Sequence, residues 1–465
     1  MGGCDLSVEK HPVMIIGAGI GGLTTAAYLS KLGVPSLLLE KTSSIGGRCS
    51  TRMINGQKYE IGAIYVGGGV FDHLRRTFGA SFQSIPFRCG IKMNNRIVPF
   101  PFNWKTIWEL KRCGITWLDL FRFKLQSRIF SQSDTFDRYK SVGELFDAMI
   151  TNQKIRRYFD VLVGVSGLSP YRLSSDCFRP GNPTEQYKAF NPEYLNGGNG
   201  QIASILRDIA GKNCQISFNT KAIKIIIKNG NVSGVQTDKG EVQANIVVSN
   251  TGIRSTVFKL TEPGNWPRQY YKNVQQLPET LQVTNIFLTF KRSFKIPKGF
   301  SVFFVSYDIN KEFQTLATGC FPEDSMFIFH VPSNIEPHSI GDHRATLQFY
   351  HPKRNIDAKL ADEQAKRIMS MGLNNLFSGL SKAITGYSVY YPEKYKEEFG
   401  FPPNVYGVAP DVGVHRFPIQ TPVKSLFLVG DSVAPEGPCV PQAMESGLDC
   451  ARVIAAKFGV DLPTE

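Results

Sequence analysis

The chain has 465 residues, which is about the mass of two or three domains. Its composition, with 42% apolar, 12% aromatic and 20% charged residues, is globular and excludes disordered and fibrous classes. The net charge is +14, but Lys and Arg are scattered without a long basic run, so no nucleic acid partner is expected.

The nine cysteines form no CxxC pair, which indicates reduced thiols, a cytoplasmic location and no metal site. No uninterrupted apolar run reaches the roughly 18 residues that a transmembrane helix needs. We therefore expect a cytoplasmic α/β protein. Its first predicted elements carry the clearest motif of the sequence.

The chain begins with a predicted strand, a glycine-rich turn and a helix. Residues 13–16 form a short apolar run, which is typical of a buried parallel strand. The sequence at 17–22, Gly-Ala-Gly-Ile-Gly-Gly, matches G-x-G-x-x-G, and apolar residues follow at helical spacing as far as Gly33. Residues 34–39 predict a second strand, which Glu40 ends.

This unit has the chemistry of a dinucleotide site. Gly17 permits the tight turn, Gly19 lets the backbone approach a pyrophosphate, and Gly22 lets the helix pack closely. The helix N-terminus offers unpaired N–H groups to the phosphates. Glu40 lies 18 residues after Gly22, where a carboxylate accepts hydrogen bonds from a ribose. The predicted binding residues here are Gly17, Ala18, Gly19, Gly21, Gly22, Glu40 and Lys41.

The next segment indicates which dinucleotide is bound. Residues 45–48 read Ile-Gly-Gly-Arg, and residues 59–63 read Tyr-Glu-Ile-Gly-Ala. With the preceding unit, they resemble the FAD-dependent amine oxidase and phytoene desaturase superfamily, and more closely its phytoene dehydrogenase-like branch. That branch holds carotenoid desaturases, carotenoid isomerases and retinol saturases. The resemblance implies non-covalent FAD, with Gly47 and Arg48 near its phosphates and Gly62 and Ala63 near the flavin.

Two later blocks extend the resemblance. Residues 197–200, Gly-Gly-Asn-Gly, open a predicted helix, and strands are predicted at 215–218, 222–228, 232–237 and 246–249. In the family, the backbone at the position of Ala222 meets the adenine.

Near the C-terminus, residues 426–430 predict a buried strand that ends at Asp431, 435–438 predict a turn, and 442–454 predict a helix. The resemblance implies that Gly430 and Asp431 lie at the ribitol. It places the helix start, Val440, Pro441 and Gln442, at the flavin ring, where the helix dipole favours the negative charge of reduced flavin.

The resemblance implies a mixed α/β fold with two interleaved domains. We expect a Rossmann-type FAD-binding domain from 1–70, 195–255 and 416–465. The substrate domain, of mixed sheet and helices, comes from 71–194 and 256–415. No second G-x-G-x-x-G follows a strand, because 192–195 is a poor strand candidate. We therefore expect no NAD(P)H-binding domain.

The segment 104–130 holds three of the four Trp residues, and Trp117, Leu118, Phe121 and Leu125 keep helical spacing. Its cations outnumber Glu109 and Asp119, and they are Lys105, Lys111, Arg112, Arg122, Lys124 and Arg128. A basic amphipathic helix can lie in a membrane interface, or its apolar stripe can be core. Both interpretations stay open, so 100–130 is a candidate membrane-facing part of a peripheral protein.

No catalytic residue is assigned by the sequence. Amine oxidases of the superfamily commonly carry a Lys that reaches flavin N5 through water near the strand predicted at 283–290. That strand offers Thr284 and Asn285, with Lys291 only at its far end.

The covalent flavin Cys of monoamine oxidases also has no clear match. Cys439 is expected to be a buried small hydrophobe rather than a redox thiol. The adjacent pair His415 and Arg416 is the best candidate to line the pocket, with a surface-loop pair as the alternative.

Three function hypotheses follow. The first is an FAD-dependent oxidoreductase that moves a hydride between flavin N5 and an apolar, isoprenoid- or lipid-like substrate, as a desaturase, saturase or isomerase. The second is a flavin amine oxidase of the same fold. The third is a non-catalytic escort protein of the GDP-dissociation-inhibitor type, which the intact Glu40, Arg48 and Asp431 disfavour.

Overall fold

A computed structural model describes residues 11–128, 134–179, 192–336, 339–352, 356–435, 437 and 439–462. The strands in these ranges are β1 (His11–Ile16), β2 (Ser36–Leu39), β3 (Thr51–Ile54), β4 (Gln57–Glu60), β5 (Ser84–Pro86), β6 (Arg88–Met93), β7 (Arg96–Phe100), β8 (Glu193–Leu195), β9 (Cys214–Ser217), β10 (Ala222–Lys228), β11 (Asn231–Thr237), β12 (Gly240–Ser249), β13 (Gln282–Phe290), β14 (Phe300–Val305), β15 (Phe327–His330), β16 (His343–His351), β17 (Ile384–Tyr390) and β18 (Leu426–Leu428).

The helices in the same ranges are α1 (Ile20–Lys31), α2 (Gly68–Arg76), α3 (Trp104–Arg112), α4 (Trp117–Gln126), α5 (Thr135–Arg138), α6 (Val142–Met149), α7 (Gln153–Gly164), α8 (Gln201–Ala210), α9 (Ile253–Ser255), α10 (Arg268–Gln276), α11 (Ile309–Ala317), α12 (Ala358–Arg367), α13 (Leu373–Leu376), α14 (Leu380–Ala383), α15 (Pro392–Phe399) and α16 (Cys439–Lys457). Shorter helical turns lie at Ser175–Phe178, Thr256–Leu260, Pro263–Asn265, Pro332–Asn334 and Ile368–Gly372.

The first sheet is parallel in the order β18-β12-β1-β2-β9, and β12 also continues into an antiparallel ladder with β11 and β10. β1 is buried on both faces, which explains its uninterrupted apolar sequence. Val13 and Ile15 pack with α1, α8 and α16, while Met14 and Ile16 pack on the opposite side. The α/β class and the Rossmann-type unit are as the sequence predicted.

The second sheet has the order β17-β13-β16-β15-β14-β6-β7 and is antiparallel except between β14 and β6. One face packs against α3, α6 and α7. The other face packs against α12, α13 and α14. Its strands come from residues 88–100 and 282–390, so the chain passes between the two sheets several times.

The prediction that residues 192–195 are a poor strand is wrong. β8 pairs antiparallel with β5, outside both large sheets. Its side chains alternate between two cores, because Tyr194 packs in the core of the second sheet and Leu195 in that of the first. This alternation stabilises a strand of only three residues.

The segment 104–128 forms two helices rather than one. A positive φ of 85° at Gly114 separates them, and a capping box of Thr116 and Asp119 begins α4. None of the α4 residues is buried, so of the two open interpretations the one in which its apolar stripe is core does not hold. Residues 129 and 130 lie outside the described residues.

No helix in the described ranges is both long enough and apolar enough to cross a bilayer.

Candidate active site

A cavity of about 1040 Å³ lies where four parallel strands of the first sheet end. Its wall includes Gly17 after β1, Glu40 after β2, Asn250 after β12 and Asp431 after β18. Ligands of parallel α/β sheets bind at this edge, beyond the carboxyl ends of the strands. The wall continues along the second sheet, so the cavity is shared between the two sheets.

Thirteen of the seventeen predicted binding residues lie on this wall. They are Gly17, Gly19, Gly21, Glu40, Lys41, Gly47, Arg48, Gly62, Ala63, Ala222, Gly430, Asp431 and Val440. Ala18, Gly22, Pro441 and Gln442 lie behind the wall instead. Gln442 is fully buried, and its amide oxygen and nitrogen have no hydrogen-bond partner within the described part of the chain.

The glycine-rich turn is fixed by close backbone contacts. A Cβ on Gly22 would lie 2.2 Å from the carbonyl oxygen of Gly17, and one on Gly21 would lie 2.8 Å from the backbone nitrogen of Gly430. The side chain of Asn250 fills the space beside them and donates to the Gly17 carbonyl at 3.3 Å. Sequence reasoning missed Asn250, although a polar residue directly after a buried parallel strand is a usable signal.

Glu40 is held by two loops. Its Oε2 accepts from the backbone N–H of Ala18 at 2.8 Å, and its Oε1 accepts from the backbone N–H and the hydroxyl of Thr42, each at 2.9 Å. Oε2 keeps a second lone pair, so the group can still accept a bond from a ribose hydroxyl. Ala18 therefore orients Glu40 rather than lining the cavity.

Arg48 and Asp431 form an ion pair on the wall. Nη2 of Arg48 lies 2.7 Å from Oδ1 of Asp431, and the backbone N–H of Gly407 donates to Oδ2 at 2.9 Å. Burial works against the charged form of Arg48, but the Asp431 carboxylate outweighs it and raises the pKa of the guanidinium. The ion pair therefore keeps Arg48 charged and fixes the two side chains against each other.

Lysines from separate parts of the chain meet around Lys41. Burial lowers the pKa of Lys41, Glu40 opposes that shift, and the charges of Lys221, Lys259 and Lys396 lower the pKa further. All four lysines line the cavity, whose only carboxylates among the described residues are Glu40 and Asp431. This excess of cations suits a ligand that carries phosphates.

The other end of the cavity is apolar. It is lined by Val283, Phe304, Met326, Ile328 and Phe349, among others. Gln348 also lines it, with Nε2 donating to Oδ1 of Asn285 at 2.7 Å. Sequence reasoning missed Gln348, which lies in a strand whose residues are nearly all buried.

Several residues that the sequence placed near the pocket do not line it in the structure. Thr284 and Asn285 are fully buried behind the wall, and neither they nor Lys291 line it. The prediction that His415 and Arg416 line the pocket is wrong. His415 is exposed, while Arg416 is buried and donates to the backbone carbonyls of Asp431 and Val408.

Cys439 lies on the cavity wall at the start of α16 and is half-buried there, with a positive φ of 85°. The predicted turn at 435–438 includes residues 436 and 438, which lie outside the described residues. No group of three or more His, Cys, Asp or Glu side chains in the described part of the chain is placed to hold a metal ion.

Residues 20–455 match the model of the family "Flavin containing amine oxidoreductase". The chain therefore belongs to the flavin-containing amine oxidoreductase family, which makes FAD its cofactor and FAD-dependent oxidoreductase its class. The cavity fits this cofactor, because it joins a glycine-rich turn, the carboxylate of Glu40 and a group of cations.

Curated relatives come from the phytoene desaturase side of the superfamily. The phytoene desaturase of Phycomyces blakesleeanus is 24% identical, and the match covers 71% of this chain and 63% of that protein. The chloroplastic prolycopene isomerase of Arabidopsis thaliana is 22% identical, with 98% of this chain and 84% of that protein covered.

A crystal structure of an oxidoreductase from Methanosarcina mazei has a TM-score of 0.71 and 18% identity, and the match covers 96% of this chain and 100% of that one. At this identity the likeness describes the fold.

Proposed function

We propose that the protein is a phytoene dehydrogenase-like enzyme that moves a hydride between an apolar, isoprenoid- or lipid-like substrate and N5 of FAD. The single observation that carries the proposal is the division of the cavity. Its cations collect at the glycine-rich end, and its other end is built from Val, Phe, Met and Ile side chains. Bound FAD supplies an acceptor or donor of two electrons.

The cationic end is the proposed cofactor site. Gly17 and Gly19 leave room for a pyrophosphate against the start of α1, and Glu40 is positioned by Ala18 and Thr42 to accept from a ribose. Arg48 fixes Asp431 at the end of β18, where we propose that this carboxylate accepts from the ribitol. The neutral, buried amide of Gln442 lies at the start of α16, behind the proposed ring site.

The apolar end is the proposed substrate site. Phe304, Met326 and Phe349 exclude water and hold an apolar chain by contact alone, which aligns a C–H bond for transfer. In the desaturation direction the substrate loses a hydride and a proton from adjacent carbons, and a second substrate such as a quinone or O₂ takes the electrons. In the saturation direction these transfers run in reverse.

The amine oxidase alternative lacks a counter-ion in this cavity. The counter-ion that holds a protonated amine is a carboxylate near its nitrogen. Among the described lining residues the only acids are Glu40 and Asp431, and both are already bonded at the cofactor end. The escort alternative is also disfavoured. An escort protein without flavin does not need cofactor-binding residues, whereas Glu40, Arg48 and Asp431 all lie on one wall of this cavity.

An apolar substrate dissolves in a bilayer rather than in water. We therefore also propose that the protein works as a peripheral protein at a membrane surface.

The test is an anaerobic half-reaction in detergent micelles. We expect isoprenoid polyenes either to bleach the oxidised flavin or to reoxidise the dithionite-reduced flavin, while primary amines do neither. Bleaching by amines, with no response to any isoprenoid in either direction, would contradict the proposal.

A matched pair of variants locates the reaction. Val283→Trp fills the apolar end and should abolish the response to isoprenoids while the protein keeps its FAD. Val412→Trp adds the same bulk at an exposed position outside the cavity, so it should behave as wild type.

A further inference from the structure

Exposed apolar side chains concentrate on α3 and α4. Six of the 17 large apolar side chains that are exposed in the described residues lie on these two helices, and Trp104 and Trp117 are 65% and 60% exposed. We define the α3–α4 face by these six residues, which are Trp104, Trp108, Trp117, Leu118, Phe121 and Leu125. A soluble surface rarely gathers such side chains without a partner.

On each helix the exposed residues form one stripe. At about 100° per residue, the four apolar residues of α4 fall within an arc of about 100°, and Lys124 and Arg122 flank the arc on its two sides. On α3 the same spacing puts Trp104 and Trp108 together, with Lys111 on one side and Lys105 on the other. The opposite sides of both helices pack into the protein through Leu110, Leu120 and Phe123.

The face is held in place by contacts beneath and within it. Nζ of Lys111 lies 4.8 Å from the centre of the Trp117 ring, which joins α3 to α4. The Phe123 ring lies 5.3 Å from Phe159 on α7 and 6.1 Å from Phe102. The stripe is therefore a preformed surface of the folded protein.

The charge of the face selects its partner. The segment carries six cations, while Glu109 pairs with Arg96 and Arg112, and Asp119 is used in the cap of α4. Exposed Trp and Leu side chains flanked by Lys and Arg match a bilayer interface, where the rings sit at the headgroups and the cations reach lipid phosphates. Protein interfaces are by contrast depleted in Lys.

We propose that the α3–α4 face docks the protein onto an anionic membrane surface, with the six apolar side chains inserted at the level of the headgroups. The docking stands independently of the redox chemistry. Its link to substrate uptake rests on the proposed function: Phe159 packs under the face, and Val165, six residues further along, lines the apolar end of the cavity. Six residues are about 9 Å along a helix.

Vesicle flotation of the FAD-loaded protein tests the docking. We expect the protein to float with phosphatidylcholine vesicles that contain phosphatidylserine, and to float less at high salt or without the anionic lipid. Replacing Lys105, Lys111 and Lys124 by Gln should lower the partition coefficient on the order of 100-fold, because each interfacial cation contributes roughly a factor of five. Replacing Trp104, Trp108 and Trp117 by Ser should abolish flotation even at low salt.

Two control variants match these changes elsewhere on the surface. One replaces the exposed Lys359, Lys366 and Lys382 by Gln, and the other replaces the exposed Leu360, Met371 and Tyr387 by Ser. Both should float as wild type does. The flavin absorbance of every variant reports whether it is folded. If the triple Trp variant loses FAD, the single substitution Trp108→Ser is tested instead. If the triple Lys variant loses FAD, Lys124→Gln is tested instead.

Wild-type protein that fails to float with anionic vesicles, or controls that lose flotation as fully as the face variants, would overturn the docking proposal. The micelle assay of the proposed function separates the two failures. Protein that reacts with isoprenoids in micelles but does not float keeps its function without this docking surface. Protein that floats but reacts with no isoprenoid keeps the docking surface and loses the proposed function.

Discussion

Nη2 of Arg48 lies 2.7 Å from Oδ1 of Asp431, so the turn after β2 and the end of β18 are joined across 383 positions of the chain. The family resemblance assigned these residues separately, Arg48 to the cofactor phosphates and Asp431 to the ribitol. In the structure they form one unit with the backbone N–H of Gly407. We infer that each residue binds FAD partly by fixing the other.

Arg48→Ala should weaken FAD binding by about 1–3 kcal/mol, because it removes charge-assisted hydrogen bonds and releases Asp431. Fluorescence titration of apoprotein with FAD measures the effect. In a double-mutant cycle with Asp431→Ala, the two losses should be clearly non-additive. Arg52→Ala, which removes a nearby cation outside this cavity, serves as the control, and an equal loss there would refute a specific role for Arg48.

Glu40→Ala should also cost about 1–3 kcal/mol of FAD binding, since the proposed ribose contact is lost and the Ala18 and Thr42 N–H groups lose their acceptor. Glu40→Gln keeps one acceptor oxygen and should lose less. Equilibrium dialysis followed by flavin quantification gives both values. Glu241→Ala, at an exposed position on β12, is the matched control. Full retention of FAD by Glu40→Ala would remove this residue from the site.

Gly22→Ala should destabilise the apoprotein by about 1–3 kcal/mol, because its Cβ would lie 2.2 Å from the Gly17 carbonyl oxygen and the turn must shift. Chemical unfolding of the apoprotein reports this without any contribution from the cofactor. At Gly264 the same substitution meets nothing within 4 Å and should be nearly neutral. Equal stability of the two variants would contradict the described packing of the turn.

Stability should depend on the ionisation of Glu60. Burial raises the pKa of this carboxyl to about 7, although Tyr194, Thr51 and the Asn199 N–H all donate to it. The folded protein therefore holds a proton that the unfolded chain releases near pH 4.5. Between these two values stability should fall as pH rises, by up to about 3 kcal/mol.

Glu60→Gln removes this titration, so its unfolding free energy should vary less between pH 5 and pH 7 than that of wild type. Urea unfolding of the two proteins across that range measures the difference. Glu241→Gln, which changes an exposed group, should leave the wild-type slope unaltered. Parallel curves for wild type and Glu60→Gln would show that folding does not raise the pKa of Glu60.

The local motifs could be predicted from the sequence, because their signals lie within a few residues. The strand at 13–16, the turn at 17–22 and the helix after 200 appear in the structure close to the predicted positions. Contacts between distant segments left no such signal. Asn250, Gln348 and the lysines around Lys41 reach the cavity from separate strands and helices, and only the folded chain brings them together.

The α4 stripe shows a different limit. A helix that faces the core and a helix that faces a membrane have the same apolar period, so Trp117, Leu118, Phe121 and Leu125 fit both. Exposure in the structure separates them.

Acid precipitation of the purified protein tests the central claim, a flavoenzyme with one non-covalent FAD per chain, most directly. We expect a yellow protein that releases one equivalent of FAD into the supernatant and leaves a colourless pellet. A protein that stays colourless after incubation with FAD, or a pellet that retains the yellow colour, would contradict the account.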